Sequence, residues 1–138
     1  MATIDRTTAT LRVRGEQLDP DQVSALIGKT PTRQSRKGEP VLLPSGGLRI
    51  ARTGTWVIET EWVTPGDLDI AVQEIFKGTT PDLSIWLNLS TKYRVDLFCG
   101  LLLSEPMQGI SVSPPTLKLL GERGIELGLD VYEPDKDR

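Results

Sequence analysis

The sequence contains no histidine, and this absence excludes more chemistry than any other feature of its composition. Neither a Ser-His-Asp triad nor a Cys-His pair can be built from the chain, and a zinc site with histidine ligands is excluded as well. The single cysteine, Cys99, can form no intrachain disulfide and no cysteine-rich metal cluster. We therefore expect no metal, no cofactor and no catalytic residue, and we favour a non-enzymatic role.

Long apolar runs are missing too. The longest, Leu97 to Leu103, is interrupted by Gly100 and is far too short to span a bilayer. The first residues, Met1 to Arg6, lack the basic region and apolar block of a secretory signal. A net charge of −3 gives no general attraction to nucleic acid or to an anionic membrane. We expect a cytoplasmic protein that binds neither.

Aromatic residues make up only 5% of the chain, so its core must be mostly aliphatic. An apolar content of 38% and a charged content of 25% are typical of a soluble globular domain. A length of 138 residues suits one domain and is too short for two comfortable ones. We predict a single domain over residues 1–138, with a polar lead-in at 1–7 and a charged tail at 133–138.

Strict alternation predicts a central strand around Trp56. Between Arg52 and Trp62 the side chains alternate with a period of two, as in a strand with one buried and one solvated face. The inward set holds two of the three tryptophans, and we predict that both indoles anchor the core. The inward residues are Trp56, Ile58, Thr60 and Trp62, and the outward residues are Thr55, Val57, Glu59 and Glu61.

Capping signals place helices between further strands. Asp19 followed by Pro20 predicts a helix start, and Gly28 predicts its end. Comparable signals begin helices after Asp67, Asp82 and Ser113, the last with Val112 packing on Leu117. Alternation predicts strands at 9–13, 95–103 and 125–131, whereas the proline and glycine content of 29–47 predicts a loop.

This order of elements predicts an α+β fold. Helices with one apolar stripe and strands with one apolar face bury those surfaces by packing in two layers. We expect a two-layer sandwich, with an antiparallel or mixed sheet of about four to five strands and the helices packed on one face.

Several short motifs resemble a bacterial family catalogued as domain of unknown function 4279 (DUF4279). The resemblance covers nearly the whole chain, from Leu11 to Tyr132. It implies a small, mostly single-domain bacterial protein and no established activity, so no functional residue is carried over. The motifs are Leu11-Arg12-Val13-Arg14-Gly15, Leu18-Asp19-Pro20 with Ile27-Gly28, Arg36-Lys37-Gly38, Thr53-Gly54-Thr55-Trp56, Gly124-Ile125-Glu126-Leu127 and Asp130-Val131-Tyr132.

A basic segment is the first candidate site. Between residues 29 and 52 six basic side chains face one acidic side chain, Glu39, which gives a local net charge of +5 in an acidic protein. Such a cluster could bind phosphate or an acidic partner. The commoner outcome for charge runs is that they are solvated or, here, pair with Glu59 and Glu61. The candidate anion-binding residues are Arg33, Arg36, Lys37 and Arg52.

The sheet face opposite the helices is the second candidate. Phe98 and Leu102 interrupt an otherwise polar face and could mark a homodimer or partner surface, unless another segment of the chain covers them. The charged residues around them have both signs, as at the rim of a specific interface. The predicted surface comprises Phe98, Leu102, Arg12, Arg14, Glu126, Asp130 and Tyr132.

The remaining polar groups offer weaker candidates. Glu59 with Glu61, and Glu126 with Asp130, are carboxylate pairs on one strand face; such pairs can perform acid–base chemistry but are far more often surface charges. Cys99 alternates with Leu97 and Leu101, so we predict a buried, inert thiol.

These patterns favour a protein-interaction module, of the kind represented by immunity proteins and regulators. The alternative is a protein that binds a small anionic ligand, such as a nucleotide or phosphorylated metabolite, through residues 29–52. A carboxylate-based hydrolase is a third hypothesis. The first two differ in whether the side chains around Arg36 and Arg52 converge on a concave pocket.

Overall fold

The helices and strands of the computed structural model lie in residues 3–134, the part of the chain that the structure describes. Most of the predicted charged tail lies outside these residues. No helix among the described residues is long and apolar enough to cross a membrane. In chain order the elements are β1 (Arg6–Gly15), α1 (Pro20–Ile27), β2 (Arg33–Ser35), β3 (Pro40–Leu42), β4 (Leu48–Ile50), β5 (Gly54–Glu59), α2 (Leu68–Phe76), α3 (Leu83–Lys92), β6 (Arg94–Leu102), α4 (Pro114–Glu122) and β7 (Glu126–Tyr132).

The five-stranded sheet has the order β2-β5-β1-β6-β7. Its strands pair antiparallel except β6 and β7, which are parallel because α4 connects them as a crossover. Buried residues of all four helices pack with one face of this sheet in a single core. The predicted α+β fold, with a mixed sheet and helices on one face, is confirmed. The opposite face of the sheet, which carries no helix, is called the open face below.

Local capping explains where the first three helices begin. Asp19, Asp67 and Asp82 each accept a hydrogen bond from a backbone N–H of the first turn, as the sequence predicts. Gly28 ends α1 with φ 83°, a conformation that a residue without Cβ adopts at no steric cost.

The start of α4 differs from its prediction. The Ser113 side chain makes no cap; its N–H and Oγ–H instead donate to Asp69 Oδ1 on α2, at 3.1 and 3.0 Å. Thr116 donates to the same oxygen at 2.6 Å, so Asp69 fastens α4 to α2. Leu117, predicted to pack on Val112, is exposed.

Two segments are more ordered than their composition suggests. Ile4 is buried and β1 begins at Arg6, so the predicted polar lead-in contributes to the core and to the sheet. The predicted loop at 29–47 contains β2, at the edge of the sheet, and β3, which pairs with β4 as a separate antiparallel hairpin.

The predicted central strand is correct at Trp56. Its indole is fully buried, and its Nε1–H donates to Ser24 Oγ on α1 at 2.9 Å. The strand ends at Glu59, however, three residues before Trp62. That early end determines the composition of the open face.

The open face of the sheet as a candidate functional site

A single buried carboxylate organises one half of the open face. Asp96 on β6 has a side chain only 8% exposed, and it accepts two hydrogen bonds of 2.9 Å from Arg12 in a bidentate pair. Arg14 and Arg94 reach the same carboxylate at 3.5 and 3.9 Å. The pairing of β1 with β6 places Arg12 opposite Asp96 and Arg14 opposite Arg94. One negative charge therefore holds three guanidinium groups, which leaves an excess of positive charge here.

An extra residue after β5 turns Trp62 onto the open face. Continuing the β5–β1 register beyond Glu59 and Thr10 would place Trp62 opposite Thr7. The bridge to Thr7 is made by Val63 instead, so one more residue lies on this side of the pair than on β1. Because side chains alternate, an insertion of one residue exchanges the two faces. Val63 therefore packs on the core, and Trp62 does not.

Trp62 joins Tyr132 in an aromatic cluster over Gly100. A Cβ at Gly100 would lie 3.6 Å from each of the two rings, an ordinary contact distance, so both rings lie directly over the β6 backbone. The Arg6 guanidinium stands 4.7 Å from the Trp62 ring centroid. Trp62 remains 43% exposed, and the prediction that it anchors the core is wrong.

The predicted interaction residues do share the open face, but the apolar ones are partly covered. The Arg12 guanidinium lies 5.2 Å from the Phe98 ring centroid, and Leu102 is buried. On β7, the charged Glu126 and Asp130 are exposed along the edge of the sheet. Tyr132 is also exposed, and its hydroxyl lies 3.4 Å from Asp130 Oδ2. The accessible apolar surface is thus the aromatic cluster rather than Phe98 and Leu102.

The cations of the basic segment are directed to different acidic partners. Arg33 pairs with Glu59 at 2.7 Å, on the open face. Arg36 donates to Asp19 and Asp21 at the start of α1, at 2.9 and 2.7 Å. These ion pairs turn Arg33 away from Arg36, so the two side chains do not converge on one ligand.

Among the described residues, the remaining cations of the segment share no partner with Arg33 or Arg36. Lys37 pairs with Glu16, whereas Arg52 is exposed and has no ion-pair partner among the described residues. Lys29 donates to the carbonyls of Glu74 and Ile75 at the end of α2, at 3.0 and 2.9 Å, and burial lowers the pKa of its amine.

A depression beside the basic segment is lined by two of its arginines. It has a volume of about 270 Å³, and Arg33 and Arg49 line it together with Glu39. Neither Arg36 nor Arg52 belongs to its lining. Of the four predicted anion-binding residues only Arg33 lines this depression, so the predicted set does not converge on it.

The β3–β4 hairpin exposes an apolar face that the sequence analysis missed. Pro40 pairs with Ile50 and Leu42 with Leu48, which puts all four on one side of the two-stranded ribbon. Leu42, Leu48 and Ile50 are all largely exposed. Strands of three residues are too short for a period of two to be recognised in the sequence. The alternation of Leu48 and Ile50 was only a weak indication of this hairpin.

The other candidate groups are placed as inert or structural. Cys99 is fully buried, as predicted, and burial raises the pKa of its thiol to about 12. Glu59 is occupied by Arg33. Within residues 3–134 no group of three or more His, Cys, Asp or Glu side chains is arranged to hold a metal ion.

Comparison with known proteins agrees with the resemblance seen in the sequence. No curated protein and no solved structure is significantly similar to this chain. The family described as Domain of unknown function (DUF4279) matches residues 5–134, from the start of β1 to just past β7. The chain belongs to the DUF4279 family.

Proposed function

We propose that the chain is a non-enzymatic protein-interaction module that binds a partner protein on the open face of its sheet, as immunity proteins and regulators bind theirs. The observation that carries this proposal is the position of Trp62. A one-residue insertion moves the indole from the core side to the open face, where it lies 43% exposed over the β6 backbone at Gly100.

The residue types on this face are those that dominate protein–protein binding energy. Tryptophan, tyrosine and arginine are enriched among the side chains whose truncation costs most affinity. Trp62, Tyr132 and Arg6 lie together here, and the cation is already stacked on the indole. Such side chains offer a large contact area and lose little conformational entropy on binding, because their neighbours already fix them.

The distribution of charge defines the partner. Arg14 and Arg94 share one carboxylate with Arg12, so the end of the face nearest them is positive. The β7 edge is negative, with Glu126 and Asp130 exposed. A membrane or a nucleic acid presents one sign of charge and would be repelled by one end. We infer a protein partner with an apolar centre, carboxylates toward the arginines and basic groups toward β7.

The anion-binding alternative has less support, because Arg33, Arg36 and Lys37 are occupied by carboxylates. It remains testable with the triple variant Arg36→Gln/Lys37→Gln/Arg52→Gln. We expect inorganic phosphate or a nucleotide to change the melting temperature of the parent and of this variant equally. A rise confined to the parent would restore the anion site.

The tryptophans provide a direct assay for the open face. Trp56 and Trp86 are fully buried, whereas Trp62 is accessible, so acrylamide should quench mainly Trp62. Candidate partners are the products of the neighbouring genes, purified and titrated into the chain. A partner bound on the open face should protect Trp62 from quenching, and Trp62→Phe should abolish the protectable signal.

Calorimetric titration separates this site from other surfaces. Trp62→Ala should weaken binding at least tenfold, since central aromatic anchors contribute about 2 kcal/mol or more. Leu42→Lys, a change at a more exposed apolar residue on the β3–β4 hairpin, should leave affinity unchanged. A partner whose affinity depends on Leu42 and not on Trp62 would refute the open face as the docking site.

A further inference from the structure

The outer edge of β7 is a free sheet edge. Proteins usually shorten such edges or place charged residues, above all lysine, proline or a bulge on them. The opposite edge strand, β2, is three residues long, whereas β7 runs for seven residues, Glu126–Tyr132, without lysine or proline. Within the described residues no strand pairs with this edge.

The helix layer also stops short of this strand. Leu129 and Val131 point to the core side of the sheet, opposite Cys99 and Leu101 of β6. They are nevertheless 42% and 59% exposed, because the helices cover only the beginning of β7. An apolar stripe thus lies directly beside free backbone groups, which is the arrangement that accepts an added strand.

We propose that the β7 edge binds the β7 edge of a second copy of this chain, antiparallel and centred on Leu129, and so joins two sheets into one. The argument for a second copy is that this strand is complementary to itself in one register. With Leu129 opposite its own symmetry mate, Leu127 faces Val131, Glu126 faces Tyr132 and Gly128 faces Asp130. No two like charges meet across the two-fold axis.

The neighbouring registers lack this property. Centring the pair on Gly128 would place Glu126 opposite Asp130 of the second copy. Centring it on Asp130 would place that carboxylate opposite itself. Facing like charges destabilise a strand pair, so charge disfavours these two registers. Centring the pair on Leu127 or Val131 would avoid like charges but would pair only three residues of the strand, whereas the Leu129 centre pairs all seven.

The backbone is directed to suit the same register. The Tyr132 carbonyl accepts a hydrogen bond from Leu103 N–H at 3.1 Å, so the backbone groups of Tyr132 point toward β6. The backbone groups of successive strand residues point to opposite sides of the strand. The N–H and C=O of Leu127, Leu129 and Val131 therefore point outward, away from β6. Leu129 is then the centre of a hydrogen-bonded pair, with Leu127 and Val131 forming the pairs on either side.

Cross-linking tests the register. Leu129→Cys would place two thiols in directly opposite positions, with Cα atoms about 5.5 Å apart, within disulfide range. Val131→Cys is the matched control: it is the more exposed site, but the two symmetry-related positions would lie about 13 Å apart along the strands. Cys99 is buried and does not interfere. With oxidised glutathione as oxidant, we expect a disulfide-linked dimer from Leu129→Cys and little from Val131→Cys.

Light scattering after size exclusion tests the dimer itself. The parent should associate with rising concentration, and Leu129→Lys should be a folded monomer by circular dichroism, because two ammonium groups would face each other. Leu42→Lys, the same substitution at another exposed leucine, should leave the dimer intact, and so should Trp62→Ala, since Trp62 lies over β6 and not at the β7 edge. A parent that stays monomeric, a dimer indifferent to Leu129→Lys, or equal cross-linking at both cysteine positions would overturn the proposal.

Discussion

Replacing Asp96 with asparagine tests whether one carboxylate organises the open face. The change keeps one of the two oxygens that accept 2.9 Å hydrogen bonds from Arg12, but it replaces the other with an NH2 group, which turns an amide N–H toward a guanidinium. Hydrogen bonds to charged groups contribute about 1.5–3 kcal/mol each, but the Arg12 side chain is 31% exposed and water recovers part of the loss. Since three cations would also lose their shared anion, we expect the free energy of unfolding to fall by about 2–3 kcal/mol.

Urea unfolding followed by tryptophan fluorescence measures this loss. The midpoint should fall while the slope with denaturant stays the same, because the fold and its buried area are retained. For a chain of this size the melting temperature should drop by roughly 7–10 °C. The matched control is Glu59→Gln, which makes the same chemical change in an arginine pair on the same face. Both partners of that pair are well exposed, so its cost should stay below about 0.5 kcal/mol.

Asp96→Asn should lower the free energy of unfolding by more than Glu59→Gln does, because Asp96 is buried and Glu59 is exposed. Equal costs for Asp96→Asn and Glu59→Gln would show that burial of Asp96 gives its ion pairs no added weight. A double-mutant cycle with Arg12→Gln gives a second, independent check. If the two changes add without an interaction energy, the bidentate pair does not stabilise the fold.

Two further predictions concern the tryptophans and Asp69. Trp56→Ala should cost about 3–5 kcal/mol of unfolding free energy and Trp62→Ala only about 1–2, measured in urea, since one indole is fully buried and the other is half-exposed. Burial raises the pKa of Asp69, but hydrogen bonds from Thr116 and Ser113 outweigh it and lower that pKa. Asp69 therefore stabilises the fold above its unfolded pKa and loses that contribution as the pH falls through the folded one, so Asp69→Asn should flatten the acid side of a stability–pH curve.

Local signals were sufficient wherever one element determines its own geometry. A helix start depends on an acceptor at the N-cap and a few following residues, so Asp19, Asp67 and Asp82 could be located from sequence alone. The alternation of β6 is equally local, and it placed Cys99 in the core correctly. These signals gave the fold class and the side of the sheet on which the helices pack.

The features that the sequence could not show depend on contacts between elements that are distant in sequence. The alternation around Trp56 continues unbroken to Trp62, and only the pairing of Val63 with Thr7 reveals the extra residue that exchanges the faces. Ser113 looks like a helix cap in isolation, but Asp69, distant in sequence, takes its hydrogen bonds. The orientation of Trp62 and the role of Ser113 each depend on a partner strand or helix, and a periodic pattern in the sequence does not identify that partner.

The two faces of β7 connect the proposed docking site with the proposed dimer. Tyr132 and Asp130 lie on the open face, and Leu129 and Val131 lie on the other, so self-pairing through the edge leaves the open face uncovered. A two-fold axis perpendicular to the sheet would place both open faces on the same side of one continuous sheet. A partner with two binding surfaces could then engage both copies, and its apparent affinity would exceed that for one copy because the second contact is intramolecular. Leu129→Lys should lower the apparent affinity for such a bivalent partner, although Leu129 itself does not contact the partner. The same substitution should leave the affinity for a monovalent partner unchanged.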